Sequence, residues 1–243
     1  MNGLVLHCGA AAVSREDLSA SHTPAPTVSH VPIPHVELLD RLGNVIDSNG
    51  WKIVEEGHAL TRSGNRYFGL LRVENGAPDV DYGTVIGLRN SHDMSFRAEM
   101  AIGAKCFVCD NLSFSGDVVI GRKHTKEIMR DLDRLIAQAF GQVSEARAHQ
   151  HKRFEFYKDQ ELSDHQAHDL IIRAIDCKAV IASKVPALLS QWRTPSHDEF
   201  KPRTAWSLFN AFTEIYKTQS LANTHVRSQR LHGLLDTRLG LGA

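Results

Sequence analysis

The chain has 243 residues, of which 42% are hydrophobic and 23% charged; these are ordinary values for a folded protein of one large or two modest domains. Its 28 basic residues balance 28 acidic ones, so bulk charge gives no reason to expect strong nonspecific attraction to a polyanion, although a local basic surface stays open. The four cysteines form no disulfide framework, and no run approaches the roughly 18 apolar residues that span a bilayer. We therefore expect a cytoplasmic protein that does not bind a membrane.

The first 50 residues change character at His35. Residues 1–34 are rich in Ala, Ser, Thr and Pro, and Pro32 and Pro34 favour extended backbone, so we predict a flexible N-terminal arm. From His35 to Asp47 the apolar residues recur at helical spacing, until Ser48-Asn49-Gly50 ends the pattern. This stretch predicts an amphipathic helix.

Five segments then have the composition of strands, and they are Trp51 to Thr61, Arg66 to Glu74, Gly83 to Arg89, Ala101 to Cys109 and Asp117 to Arg122. Ser63-Gly64-Asn65 is typical of a tight turn and joins the first two. An apolar stripe from Ile128 to Val143 predicts a helix that covers the sheet, with Thr125 as its N-cap.

The rest of the chain reads as helical. Residues 145–158 form a polar helix or coil, Ser163 and Gln166 have the spacing of a capping box, and further helices are predicted over 185–192, 204–218 and the tail. Strands first and helices afterwards favour an α+β fold. We predict an antiparallel meander of about five strands (residues 35–150) and a helical C-terminal region (residues 151–243).

Polar residues follow three of the predicted strands. The three groups are Asn90, His92 and Asp93; Asp110 and Asn111; and Arg122, Lys123 and His124. Short directional side chains at strand ends are typical of ligand contacts or catalysis. We predict that the three groups come together on one side of the sheet as a polar cluster.

Each candidate chemistry has a plainer alternative. Cys106 and Cys109 have the spacing of half a zinc site, but residues three apart on a strand point to opposite faces, which favours buried thiols. His92 and Asp93 suit a general base or a metal, and equally a turn. The Arg122 to Thr125 segment suits an anion or simple helix capping. Neither GxxxxGK[ST] nor GxGxxG is present, so we expect no nucleotide cofactor.

Cationic residues recur around these groups. The candidates for phosphate contact are Arg62, Arg66, Arg89, Arg122, Lys123, Lys152 and Arg153. Tyr67, Phe68 and Tyr157 are the candidates for base stacking, because aromatic rings interleaved with cations suit single-stranded nucleic acid.

Several motifs in order carry a resemblance. GLRNSHDMSF, CDNLSFSG, RKHT, WRTPSHDEF and TAWSLFNAFTE resemble the DUF932 family of phage- and plasmid-borne proteins, over about His35 to Tyr216. The resemblance implies that the protein is carried by a mobile genetic element and is located in the cytoplasm, and it implies no settled activity. The order of helix, meander and covering helix is also similar, at the level of architecture, to the Rad52-like single-strand annealing proteins.

Three functional hypotheses follow. The first is a non-enzymatic, homo-oligomeric protein that binds single-stranded DNA in phage or plasmid DNA metabolism, with no cofactor. The second is a metal-assisted phosphoesterase that uses the polar cluster together with Arg89. The third is a mobile-element effector that binds a host protein, which the near-zero net charge favours over the first.

Overall fold

The computed structural model describes residues 10–76, 82–106, 112–217 and 221–241. The chain forms two compact units, the first made of residues 1–103 and 118–144 and the second of residues 104–117 and 145–243.

The described part of the predicted arm is ordered into structure. Strand β1 (Ala10–Val13) pairs antiparallel with β2 (Lys52–Thr61), and helix α1 (Arg15–Ser19) follows directly. Leu18 and Ile33 are almost completely buried. Composition alone predicts a flexible lead because apolar residues are sparse here, yet a few well-placed ones attach the segment to the sheet.

Six antiparallel strands form one sheet in the order β1 to β6, each beside its neighbour in the chain. The remaining strands are β3 (Arg66–Glu74), β4 (Tyr82–Ser91), β5 (Ala98–Cys106) and β6 (Leu112–Arg122). Gly64 makes the β2–β3 turn with a φ of 71°, a left-handed conformation that glycine adopts without strain. The predicted α+β meander is confirmed, and the strand beyond the predicted five is β1.

Two helices cover one face of the sheet. Helix α2 (His35–Ser48) buries Leu38, Leu39, Leu42 and Ile46, which recur at helical spacing. Helix α3 (Ile128–Phe140) lies beside it, and the Arg41 guanidinium of α2 donates to the Asp133 carboxylate of α3 at 2.9 Å. Thr125 is not the N-cap, because α3 begins three residues later, after Glu127.

A small apolar cleft remains between these helices and the sheet. Its volume is about 40 Å³. The lining includes Leu38 and Leu42 from α2, Leu88, Ala98 and Met100 from β4 and β5, and Leu132, Leu135 and Ile136 from α3. The packing of this layer is therefore nearly complete.

The second unit is mainly helical. Its main helices are α4 (Val143–Asp159), α5 (Asp164–Asp176), α6 (Val185–Arg193), α7 (Ala205–Tyr216) and α8 (Leu221–Leu239). The predicted capping box is confirmed, since the Gln166 backbone N–H donates to Ser163 Oγ and the Ser163 N–H donates to Gln166 Oε1. Arg153 and Tyr157 of α4 both bond Asp236 of α8.

Candidate functional site

One end of the sheet collects most of the polar groups singled out in the sequence. In this meander β2, β4 and β6 stop, and β3 and β5 begin, at the same end. Residues 27–34 lie across it: the Ile33 carbonyl accepts from Asn90, and the Val31 N–H donates to the His124 carbonyl at 3.0 Å. We call this end of the sheet the histidine end, and residues 27–34 the strap.

His35, the first residue of α2, is fixed between the β2–β3 turn and β4. Its Nε2–H donates to the Gly64 carbonyl at 2.9 Å, and its Nδ1 accepts from Asn90 Nδ2 at 2.9 Å. The same Asn90 amide group donates to the Ile33 carbonyl at 2.8 Å. Both bonds of His35 require the neutral imidazole with its proton on Nε2.

His92 lies against His35 and also bonds the strap. The two rings are parallel, with centroids 3.9 Å apart. His92 Nε2–H donates to the Ile33 carbonyl at 2.9 Å, so this one carbonyl accepts two hydrogen bonds. His92 Nδ1 and Asn90 Oδ1 are buried and lack a hydrogen-bond partner in the described part of the chain.

His30 and His124 form a second pair of stacked imidazoles at the histidine end. His30 of the strap stacks on His124, with centroids 5.1 Å apart and ring planes 6° from parallel. Both nitrogens of His124, and Nε2 of His30, are buried without a partner among the described residues. The histidine end thus holds four buried imidazoles in two stacked pairs.

Burial sets the ionisation of these rings. Burial first, and then the positive charges that neighbouring histidines would carry, lower the pKa of His35 and of His124 from 6.5 to about 4. Burial also lowers the pKa of His92, while its hydrogen bond to Ile33 acts in the opposite direction. His35 and His124 are therefore neutral at neutral pH.

The polar network extends along the sheet through Tyr67. The Tyr67 ring lies 5.5 Å from His35, and its hydroxyl bonds His58 Nδ1 at 3.0 Å. Burial raises the pKa of Tyr67 and lowers that of His58. Tyr67 thus contacts both His35 and His58, and the Glu56 carboxylate lies 3.5 Å from His58 Nε2.

Four of the predicted phosphate-contacting arginines have carboxylate partners. Arg66 donates to Asp93 at 2.7 Å, Arg89 lies 2.5 Å from Glu99, Arg122 lies 3.2 Å from Asp131, and the buried Arg153 lies 3.0 Å from Asp236. Arg89 also lies over the Phe96 ring. The Arg89 and Arg153 pairs are largely buried and serve the fold, whereas Arg66 and Arg122 stay about half exposed.

Three other cations are exposed at the histidine end. Arg62 lies in the β2–β3 turn, and Lys123 and Lys126 lie between β6 and α3. No acidic partner is found for these three side chains within the described ranges. Lys152 is exposed as well, and it belongs to the second unit.

The predicted stacking residues are not accessible. Tyr67 and Tyr157 have no exposed surface and Phe68 retains 9%, so none of the three offers a ring face to a base. The prediction that they stack on bases is wrong, because their apolar rings fill the cores under the cations.

The second hypothesis, a metal-assisted phosphoesterase, receives no support from the same contacts. Asn90, His92 and Asp93 each bond the strap or a neighbouring side chain, and His92 and Asp93 share no hydrogen bond in the described network. No group of three or more metal-ligating side chains is found among the described residues. Cys109, Asp110 and Asn111 lie outside the described residues, as does the side chain of Cys106, which ends the strand that runs away from the histidine end.

Sequence reasoning missed His30, His35 and Lys126. His30 and His35 bracket the motif HVPIPH, whose prolines interrupt any periodic pattern, so neither helix nor strand spacing relates them to His92. The one available signal is the count of 14 histidines, which is high for a chain of this length.

These features define an α+β protein with a buried histidine cluster at one end of an antiparallel meander. The chain belongs to the family described as a domain of unknown function, DUF932, which it matches over residues 27–235. No curated protein and no solved structure matches it. The similarity to Rad52-like proteins therefore stays a prediction. Within the described residues, no helix is both long enough and apolar enough to cross a bilayer.

Proposed function

We propose that this protein is a non-enzymatic nucleic-acid-binding protein of phage or plasmid DNA metabolism, which acts in the cytoplasm on single strands as a homo-oligomer. Its phosphate-contacting surface is the histidine end. The observation that carries the proposal is the exposure of Arg62, Lys123 and Lys126 at this end without acidic partners in the described structure.

Two further arginines extend this surface. Arg66 and Arg122 are about half exposed, and their ion pairs with Asp93 and Asp131 are of the exposed kind that stabilises a fold little. A phosphate can therefore compete for these guanidinium groups at small cost. Ser63 and Thr125 are exposed beside the unpaired cations and supply hydroxyl donors of the kind that contact phosphate oxygens.

Phosphate contact, rather than base stacking, supplies the affinity in this proposal. The rings expected to stack are buried, so we expect weak sequence preference and a strong dependence on salt. Because the net charge of the chain is near zero, electrostatic attraction to phosphate is confined to this one local surface.

The association with single strands and mobile elements comes from similarity. The family resemblance implies phage- and plasmid-borne relatives, and the order of helix, meander and covering helix supports the proposal only as an analogy of architecture with single-strand annealing proteins. Annealing proteins act as oligomers, so a homo-oligomer is part of the proposal; light scattering of the purified chain measures it.

The test is fluorescence anisotropy with a labelled oligothymidine of about 30 nucleotides and a matched duplex, each over a salt series. The variant R62Q/K123Q/K126Q removes the three unpaired cations. We expect its affinity for the single strand to fall by about 10- to 100-fold at low salt. We also expect the slope of log K against log salt to decrease by about two, at roughly 0.7 per lost phosphate contact.

The matched control is K52Q/R134Q/R193Q, which removes the same charge from exposed positions on β2, α3 and α6 that are not part of the histidine end. It should retain nearly all of the affinity. Absence of wild-type binding at low salt, or equal losses in the two triple variants, would contradict the proposal. Capture of a specific host protein by a chain that binds no oligonucleotide would favour the effector hypothesis instead.

A further inference from the structure

The strap is attached to the sheet through groups whose hydrogen bonds depend on neutral histidines. Its Ile33 carbonyl accepts from Asn90 and from His92, and His30 stacks on His124. One backbone bond, from Val31 N–H to the His124 carbonyl, completes the attachment. The strap contributes three buried side chains here, His30, Pro32 and Ile33.

We propose that the histidine end is an acid-operated latch: protonation of its imidazoles releases the strap from the sheet while the meander stays folded. This property is separate from nucleic-acid binding and does not depend on it. The latch has three parts, which are the His35–Asn90 bond, the His92 ring and the His30–His124 pair.

The His35–Asn90 bond transmits protonation directly to the strap. The unprotonated nitrogen of His35 is Nδ1, whose lone pair accepts a hydrogen bond from the Asn90 amide N–H. A proton on Nδ1 places two donors face to face. The Asn90 side chain can restore a hydrogen bond only by turning its unpartnered Oδ1 toward His35, and this turn brings Oδ1 against the Ile33 carbonyl. Two acceptors then repel, and the strap loses one of its two bonds at Ile33.

His92 adds a second step. Its free lone pair is on Nδ1, which is buried without an acceptor among the described residues, so a proton there creates an unsatisfied cationic donor. The parallel ring of His35 is only 3.9 Å away, and two imidazolium rings at that distance repel. Moving the strap admits water to both rings.

The His30–His124 pair adds a third step. Neither nitrogen of His124 has a partner in the described structure, so nothing stabilises a proton on this ring while the strap is seated. Once the strap moves, the His30 ring no longer covers His124, and water reaches the His124 nitrogens. Protonation and release therefore favour each other.

Most charged groups around the latch also favour release of the strap when the histidines are protonated. The groups that act electrostatically on its rings are the histidines themselves, His22 and Asp93. Asp93 is the single acid among them, and it is engaged by Arg66. Glu56 and Arg15 act on His58, further along the sheet. Arg62 and Lys123, which are exposed at the same end, add positive charge.

Amide hydrogen exchange read by NMR tests the latch in the full-length chain, after correction for the intrinsic pH dependence of exchange. Val31 N–H reports the strap, and Leu71 N–H, in the centre of β3, reports the meander. Between about pH 7 and about pH 5 we expect the protection of Val31 to fall at least ~10-fold more than that of Leu71. The ring signals of His35 and His92 should titrate together with the release of the strap, because both rings regain a more ordinary pKa only when water reaches them.

Variants identify the groups that operate the latch. In H124F an aromatic ring remains under His30 but cannot bind a proton, and the midpoint of Val31 release should move to lower pH. H165Q removes an exposed histidine of the second unit and should leave the midpoint unchanged. Equal losses of protection at Val31 and Leu71, or titration of both rings while Val31 stays protected, would overturn the proposal; the wild-type chain alone decides this.

Discussion

Buried polar side chains in this protein fall into two kinds. Some are fully engaged, such as Asn210, whose amide donates to the Trp206 carbonyl within α7. Others leave buried atoms without partners in the described structure, both in the second unit, as at Gln150 and Ser228, and at the histidine end, where several such atoms lie together; each typically costs about 1–3 kcal/mol. Residues that destabilise a fold in this way mark places where another requirement outweighs stability. That reasoning directs attention to His92 and His124 rather than to better-satisfied groups.

The ion pair between α4 and α8 is the clearest residue-scale test of what holds the second unit together. Asp236 accepts from Arg153 Nε at 3.0 Å and from the Tyr157 hydroxyl at 2.6 Å, and the Arg153 side chain is 6% exposed. The mutation D236A leaves this buried guanidinium without its carboxylate. We expect the free energy of unfolding, from urea denaturation, to fall by about 3 kcal/mol.

The control for this measurement is D198A. Asp198 pairs with Lys201 at 2.8 Å, but its side chain is 87% exposed, so solvent screens the pair. We expect no measurable change in the free energy of unfolding. Similar effects from D198A and D236A would mean that burial does not strengthen the α4–α8 pair.

At the scale of helices and strands, the spacing of hydrophobic residues along the chain predicts most of the fold. Leu38, Leu42 and Ile46 recur on one face of α2 and are all buried, as the helical spacing predicts. The start of α3 is placed less well: Thr125 has the chemistry of an N-cap, yet the turn through Lys126 and Glu127 delays the helix. Capping preference is a local term of about 1 kcal/mol, and here a hydrogen bond from the Ile128 N–H to the Thr125 carbonyl closes a turn before the helix begins.

The cleft between α2, α3 and the sheet gives an element-scale prediction. Ala98 of β5 lines this space of about 40 Å³, and valine adds two methyl groups and favours strand backbone. We expect A98V to raise the free energy of unfolding by about 0.5–1 kcal/mol, measured by urea denaturation.

The same substitution in a filled part of the sheet provides the control. Ala59 of β2 is completely buried and does not line the cleft, so A59V must displace its neighbours. Overpacking of this kind costs about 1–3 kcal/mol. A stabilised A59V or a strongly destabilised A98V would show that the layer is packed differently from our description.

At the scale of the whole molecule, the histidines make stability depend on pH. His35 and His124 have a folded-state pKa of about 4, below the value of 6.5 for an unperturbed histidine. The unfolded chain therefore binds more protons between these values, so their contribution is complete above about pH 6.5 and decreases as the pH falls toward 4. Asp93, whose pKa is lowered from 3.8, acts only at still lower pH.

His35 and His124 alone should decrease the free energy of unfolding by about 2.7 kcal/mol per pH unit in the middle of this interval, since two protons each contribute about 1.4 kcal/mol. His58, His92 and His232, whose pKa values burial also lowers, add to this slope. Urea denaturation at a series of pH values measures the slope. H124F removes one proton-binding group from the linkage, so the slope should decrease by about 1.4 kcal/mol per pH unit. The decrease should level off where the strap is released, because hydrated histidines bind protons equally in both states.

A wild-type profile that is flat between about pH 6.5 and about pH 4.5 would contradict the burial of neutral histidines. An unchanged slope in H124F would exclude His124 from the linkage. A slope that continues to about pH 4 without levelling would agree with the burial of neutral histidines but would contradict release of the strap.

The amino-acid sequence by itself determined the α+β class, the meander and most helices, because hydrophobic period and turn residues such as Gly64 are local signals. It also showed that polar residues follow β4 and β6. Tertiary structure alone decided what those residues contact: His30 and His35 meet His92 and His124 across long separations in the chain, and carboxylates such as Asp93 and Glu99 neutralise arginines that composition counts as free. Burial and ionisation depend on these distant neighbours, and for that reason neither can be read from spacing.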